Sequence, residues 1–126
     1  MSNCEQTVAE YFAAIRAMDV ERWVNTFAHD GISHDPVGTP AMHGHEALRQ
    51  FMQHITSSFK SVSLTEDGVF ASGNSAAVKW KGKAVSQSGK TVDFEGVDVI
   101  DCNPAGKIVS VRAFWDPAPV MAIAGS

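Results

Sequence analysis

Three polar residues stand where the surrounding pattern asks for something apolar or indifferent, and their types are those of acid–base chemistry. Tyr11 lies on the apolar stripe of a helical run, Asp35 sits in a Pro/Gly-rich loop, and Asp98 interrupts the apolar face of an alternating run. A carboxyl taken out of water is costly unless it is paired, hydrogen-bonded or kept neutral. A carboxylate can move a proton between two atoms, and a phenol or a neutral acid can donate to developing negative charge. Each residue also has an ordinary explanation: a core tyrosine with its hydroxyl at the rim, an aspartate starting a turn before proline, a strand aspartate turned to solvent by a bulge. Singly these explanations stay open; the combination is what points to a site.

The elements that must position the three are written in the periodicity. Over residues 4–18, Val8, Tyr11, Phe12, Ile15 and Met18 recur at helical spacing. Asp19 is a candidate N-cap for a second helix over 20–28, with Trp23, Val24 and Phe27 on its apolar face, so the first two helices form a hairpin. Gly31, Pro36, Gly38, Pro40 and Gly44 make 29–44 a short strand followed by an ordered loop. A third helix over 46–59 presents Leu48, Phe51, Met52 and Ile55.

Beyond Lys60 the period changes to two. Turn signals at Asp67-Gly68, Gly73-Asn74, Ser88-Gly89 and Pro104-Ala105-Gly106 divide this stretch into an antiparallel meander. Over 91–101 the alternation puts Val92, Phe94, Gly96, Asp98 and Ile100 on one face. Over 107–115 it groups Val109, Val111, Ala113 and Trp115, and Asp116-Pro117 ends the run. Helices first and a curved sheet second describe an α+β protein, one domain over 1–126.

Ten basic residues are scattered among 14 acidic ones for a formal charge of -4, which leaves no electrostatic footprint for nucleic acid. No apolar run approaches the roughly 20 residues of a membrane span, and the start lacks the basic-then-apolar pattern of a secretion signal, so no membrane partner and a cytoplasmic location are expected. On the same reasoning Cys4 and Cys102 are expected to be free thiols without a disulfide. His29, Asp30, His34, Asp35, His43 and His45 are of metal-ligating type but show no recognised ligand spacing; they are expected to be loop and rim residues, and no metal is expected.

The segment His34-Asp35-Pro36-Val37-Gly38-Thr39-Pro40-Ala41-Met42-His43-Gly44 resembles the Asp-Pro-x-Gly-x-x-x-x-x-Gly loop of bacterial Δ5-3-ketosteroid isomerases, followed by a helix whose first turns end at Phe51. The resemblance extends back to the Tyr11 stripe and forward through Val97-Asp98-Val99-Ile100, Gly106-Lys107-Ile108 and Ala113-Phe114-Trp115. It implies a cone-shaped α+β fold, cystatin-like or nuclear-transport-factor-2-like, in which a curved antiparallel or mixed sheet wraps three N-terminal helices. It implies a cofactor-independent steroid delta-isomerase acting by intramolecular proton transfer on a small apolar carbonyl ligand such as a steroid. By the same resemblance Asp35 falls on the general base, and Tyr11 and a neutral Asp98 on the two donors of the oxyanion hole. Trp115 falls against the ligand, with Phe27, Phe51, Met52 and Val111 as further lining. Phe27 and Met52 occupy positions where many members carry tyrosines that support the first, so that hydroxyl network is missing here. A homodimer packed through the outer sheet face is also implied. The same cone hosts polyketide cyclases, dehydratases, epoxide hydrolases and non-catalytic ligand-binding dimers, so the fold alone does not choose among them.

Overall fold

The computed structural model describes residues 3–125; residues 1, 2 and 126, included in the expected single domain, lie outside the described residues. Helix α1 (Asn3–Arg16) buries Val8, Tyr11, Phe12 and Ile15 of the stripe read from the spacing, together with Cys4; Met18, the last residue of that stripe, lies beyond the end of the helix and is only partly buried. Helix α2 (Val20–Val24) is capped as expected: Asp19 Oδ1 accepts the Arg22 backbone N–H at 3.1 Å. It stops four residues earlier than its apolar pattern suggested. Thr26 Oγ donates back to the Trp23 carbonyl at 2.7 Å, the Thr26 carbonyl accepts the Ile108 N–H at 2.9 Å, and Phe27 opens strand β1 (Phe27–His34). The neighbouring strand β6 (Ile108–Trp115) offers backbone partners that a longer helix would have left unused, and that pairing overrides the local helical pattern. A two-residue strand β2 (Met42–His43) follows the loop, and helix α3 (Gly44–Ser58) buries Leu48 and Met52.

Strands β3 (Phe59–Ser72), β4 (Ser75–Ser86) and β5 (Thr91–Cys102) complete a six-stranded sheet of order β2-β1-β6-β5-β4-β3. All neighbours are antiparallel except β1 and β6, so the sheet is mixed. On β4 the alternation is regular: Ala76, Val78, Trp80 and Ala84 face the helices while Lys79, Lys81 and Lys83 face out. The α+β cone read from the sequence is the architecture found.

Two sheet features differ from the sequence reading. Asp67-Gly68 is not a turn: the register shifts between Glu66 and Val69, so the pair is a bulge inside one long strand, which bends it. Val109 does not join Val111 and Ala113. Cys102 pairs with Ile108 and Asp101 with Ser110, leaving Val109 as an extra residue turned outward and 36% exposed, while Ile108 takes the inner place. A short helix α4 (Ala118–Ile123), which the sequence reading did not include, closes the chain and buries Val120.

The expectation of free thiols is overturned. Cys4 and Cys102 form a disulfide, their Cα atoms 5.8 Å apart. The first turn of α1 lies over the end of β5, a proximity set by tertiary packing and invisible in a separation of 98 residues. Disulfides persist in oxidising surroundings and are rare in the cytosol, which stands against the reasoning behind the cytoplasmic expectation. A closed loop of this length constrains the unfolded chain strongly. Reduction, or Cys4→Ser, is expected to lower unfolding stability by about 2–5 kcal/mol, read as a drop in the urea midpoint. Equal midpoints with and without reductant would show that the link contributes nothing.

Candidate functional site

Tyr11, Asp35 and Asp98, widely separated in sequence, line one cavity between the helices and the inner sheet face. Each arrives by a different element. Helix periodicity turns Tyr11 inward from α1, where it is 2% exposed. Strand alternation turns Asp98 inward from β5, where it is 1% exposed and lies opposite Val78 and Ala113. Asp35 follows the last residue of β1 and is partly buried; its peptide bond to Pro36 is cis, and the Val37 N–H ties the loop to the Ala113 carbonyl at 2.8 Å.

The remaining walls are apolar. Phe51, Met52 and Trp115, named from the sequence, line the cavity, joined by aliphatic and aromatic side chains from α1, α3, β3 and β5 and by Val120 of α4. Phe27 and Val111 do not line it: they are 2% and 0% exposed and belong to the packed core behind it. Phe27 still touches the site indirectly, its ring edge-on to Tyr11 at 6.0 Å. Among the described residues no basic side chain lines the cavity.

The indoles are the feature that the sequence reading missed. Trp80 Nε1–H donates to Asp98 Oδ1 at 2.9 Å, and Trp115 Nε1–H donates to Asp35 Oδ1 at 2.7 Å. Gly96 makes room for both. A Cβ there would lie 2.6 Å from the Trp80 ring and 2.8 Å from Trp115 Cβ, so only glycine lets the two side chains cross the strand at this point. A glycine inside a strand, two residues from a buried aspartate, was the available signal.

Electrostatics separate the two acids. Burial, and then the nearby Asp35 charge, push Asp98 up to about 7, against the pull of the Trp80 N–H. Burial also raises Asp35, which the Trp115 N–H draws back down. Tyr11 is raised well above its ordinary value by burial and by both aspartates, with Trp23 acting the other way. The three groups therefore sense one another across the cavity. The arrangement can hold one proton on Asp98, keep Tyr11 a phenol, and leave Asp35 as the more readily ionised acid.

Of the histidine-rich stretch, only Asp35 lines the cavity. His29 stacks on His45 with ring centroids 5.1 Å apart, and His45 Nε2 lies 2.9 Å from the Phe27 carbonyl oxygen. Among the described residues no three side chains of metal-ligating type converge.

Residues 8–111 match the family model of the SnoaL-like domain. The chain belongs to the SnoaL-like family. This is broader than the ketosteroid isomerases that its motifs resemble. Among solved structures, this SnoaL-like chain is similar to SalBIII, an epoxide hydrolase/cyclase-like enzyme in pyran ring formation in the polyether salinomycin, at 28% identity, TM-score 0.82, over 90% of this chain and 91% of that one. It is similar to an NTF2-like protein of unknown function from Burkholderia pseudomallei (23% identity, TM-score 0.85, the whole of both chains). It is also similar to Rv0760c from Mycobacterium tuberculosis, solved in complex with estradiol-17β-hemisuccinate (22% identity, TM-score 0.84, 92% and 95% of the two chains). The last two likenesses bear on the fold alone. No helix of the SnoaL-like chain, among the described residues, is long and apolar enough to cross a membrane.

Two measurements check the site. Asp98 binds its proton more tightly folded than unfolded, so between its unfolded value near 4 and its folded value of about 7 the native state holds more protons and stability falls as pH rises. The total fall is up to about 4 kcal/mol, complete above pH 7, and Asp98→Asn should remove most of the slope; an unchanged slope would mean that Asp98 is not the buried acid. Gly96→Ala should cost about 1–3 kcal/mol by forcing the two indoles apart, with a shift in tryptophan emission; emission and stability like the parent's would show that the crossing is not tight.

Proposed function

We propose that the cavity moves a proton within an uncharged carbonyl compound, shifting a C=C bond into conjugation with the ketone. Asp35 takes a proton from the carbon next to the carbonyl as that C–H bond breaks, and the electron pair flows to the ketone oxygen, giving a dienolate. Tyr11 and protonated Asp98 donate to that oxygen. Asp35 then returns the same proton two carbons away, the oxygen pair reforms the C=O, and the acid is an ionised carboxylate again. Each preorganised donor in a water-poor site is worth a few kcal/mol, roughly, of barrier lowering.

The observation that carries this reading is the split between two acids in one apolar cavity: Asp98 raised to about 7 and deeply buried, Asp35 at the loop with a single indole donor. At pH 7 the empty pocket would hold Asp98 about half protonated, less completely than the resemblance implies. An apolar ligand that expels water raises it further, so binding itself favours the donor form.

SalBIII favours a second reading. The same pair of acids could open an epoxide, Asp98 giving its proton to the ring oxygen while Asp35 takes one from an attacking hydroxyl. The two readings share residues and differ in substrate, so both substrates must be offered.

The test is an ultraviolet assay for conversion of 5-androstene-3,17-dione to its conjugated isomer, run beside cyclisation of an epoxy alcohol. Isomerisation is expected, with Asp35→Asn slower by roughly a hundred- to ten-thousand-fold and still able to bind a planar phenolic steroid. Asp98→Asn, whose amide still donates, should keep more activity than Asp98→Ala. Because Asp98 must be protonated and Asp35 ionised, kcat/KM should fall as pH rises through about 7 and also fall in acid as Asp35 protonates. Turnover of the epoxide alone, or activity surviving in Asp35→Asn within a few-fold, would overturn the isomerase reading.

A further inference from the structure

Two of the three indole N–H groups in this chain have a carboxylate; the third does not. Trp23 is 1% exposed, and its Nε1 is buried with no hydrogen bond of ordinary distance and angle to any described residue. A buried donor left unmet costs about 1–3 kcal/mol, and folded proteins keep few of them. Trp23 and Tyr11 share the cavity wall, their ring centroids 5.8 Å apart and their planes at 46°. The indole pulls the Tyr11 hydroxyl toward its ionised form, opposing burial and both aspartates. It is therefore close enough to act on the phenol oxygen, yet short of a formed hydrogen bond.

Among the rings of the described residues packed on Tyr11, only Trp23 carries a donor. The other rings packed on Tyr11 are Phe12 at 5.2 Å and Phe27 at 6.0 Å, which carry no donor, and Met52 on the same wall has none either. Trp23 itself is firmly held. Phe27 meets its ring edge-on at 5.0 Å and Phe51 lies at 6.1 Å. Just before it in α2, Glu21 pairs with Arg49 at 2.6 Å and Arg22 with Glu10 at 2.7 Å, tying this five-residue helix to α3 and α1. Thr26 Oγ caps the Trp23 carbonyl at 2.7 Å. Exposed ion pairs of this kind contribute little stability singly, but together they fix where the indole points.

We infer that Trp23 is the positioning residue of Tyr11: its indole N–H closes onto the phenol oxygen when the phenol's own proton is drawn to a ligand oxygen. The inference rests on the reading of Tyr11 as a donor. A hydroxyl that accepts at its lone pair donates more strongly through its proton, so the indole would both aim and sharpen the Tyr11 donor. The chain thereby supplies with a nitrogen what Phe27 and Met52 cannot supply with oxygen.

Tyr11 is the sole tyrosine of 126 residues, which makes the test clean. Biosynthetic 3,5-difluorotyrosine labels that position alone and brings its ionisation into an accessible range, where the fluorine shift titrates one group in the intact, ligand-free protein. Trp23→Phe keeps a ring and deletes the N–H. The expected result is a midpoint raised by roughly one pH unit, a tenfold change in the ionisation constant. Asp35 and Asp98 face the same cavity, but both are ionised at the alkaline end of the titration in either protein, so they do not mimic the shift. In the unsubstituted protein, one of the three indole N–H resonances should move downfield along the same titration curve. This second readout needs no variant and decides the matter if Trp23→Phe does not fold. Where isomerisation is measured, Trp23→Phe should lower kcat by about tenfold with KM little changed. A Tyr11 midpoint indifferent to Trp23→Phe in a folded protein, or no indole resonance following Tyr11, overturns the inference. Coupling between Tyr11 and Trp23 in a protein that turns over no ketone would leave the inference intact and remove the isomerase reading.

Discussion

Everything at the centre of this molecule depends on keeping two carboxyls inside an apolar cavity. Left alone, each would cost several kcal/mol or simply hold its proton. The fold meets that cost with neutral donors: Trp80 for Asp98 and Trp115 for Asp35. A lysine or arginine in either place would have held its acid ionised far below neutrality. An indole lowers the pKa only in part, so Asp98 remains near 7 and can serve as a donor. The apolar shell and the indoles are thus two halves of one device, the first raising the acids and the second limiting the rise.

The topology makes that device possible. The one parallel pairing in the sheet, β1 with β6, brings the end of β1 to the end of β6, with His34 opposite Arg112. Asp35 therefore emerges beside Trp115, although 80 residues separate them. The antiparallel meander does the same for Asp98 and Trp80, which lie on facing strands two residues out of register: Asp98 is opposite Val78, and Trp80 is opposite Gly96. At Gly96 the two indoles cross, so one missing Cβ serves both acids. The Cys4–Cys102 link joins the same elements from another side, since Cys4 lies two helical turns before Tyr11 and Cys102 lies on the buried face of the strand that carries Asp98.

The family and the fold leave the chemistry open. One similar structure is an epoxide hydrolase/cyclase-like enzyme and another was solved with a steroid derivative, on closely related scaffolds. On such a cone the chemistry is decided by a handful of side chains and not by the backbone.

Much of the site was legible in the sequence because periodicity reports which face a side chain occupies. Tyr11 on the α1 stripe and Asp98 among Phe94 and Ile100 were visible that way, as were the Asp35 loop, the third helix and the meander. Periodicity is a local quantity, and it says nothing about partners. It could not tell that Trp80 would turn its N–H toward Asp98, or that Phe27 and Val111 would pack behind the cavity. Nor could it tell that two distant cysteines would meet. The early end of α2 and the outward turn of Val109 have the same origin: backbone groups of one strand captured those of another, and the local pattern yielded to a pairing that exists only once the chain has folded. The sequence alone marked Tyr11 and Asp98 as polar residues on apolar faces and Asp35 as the acid of the loop. The tertiary structure alone decided what each of them is hydrogen-bonded to, because a hydrogen bond needs its donor within about 3 Å, and only folding brings residues so far apart in the chain that close.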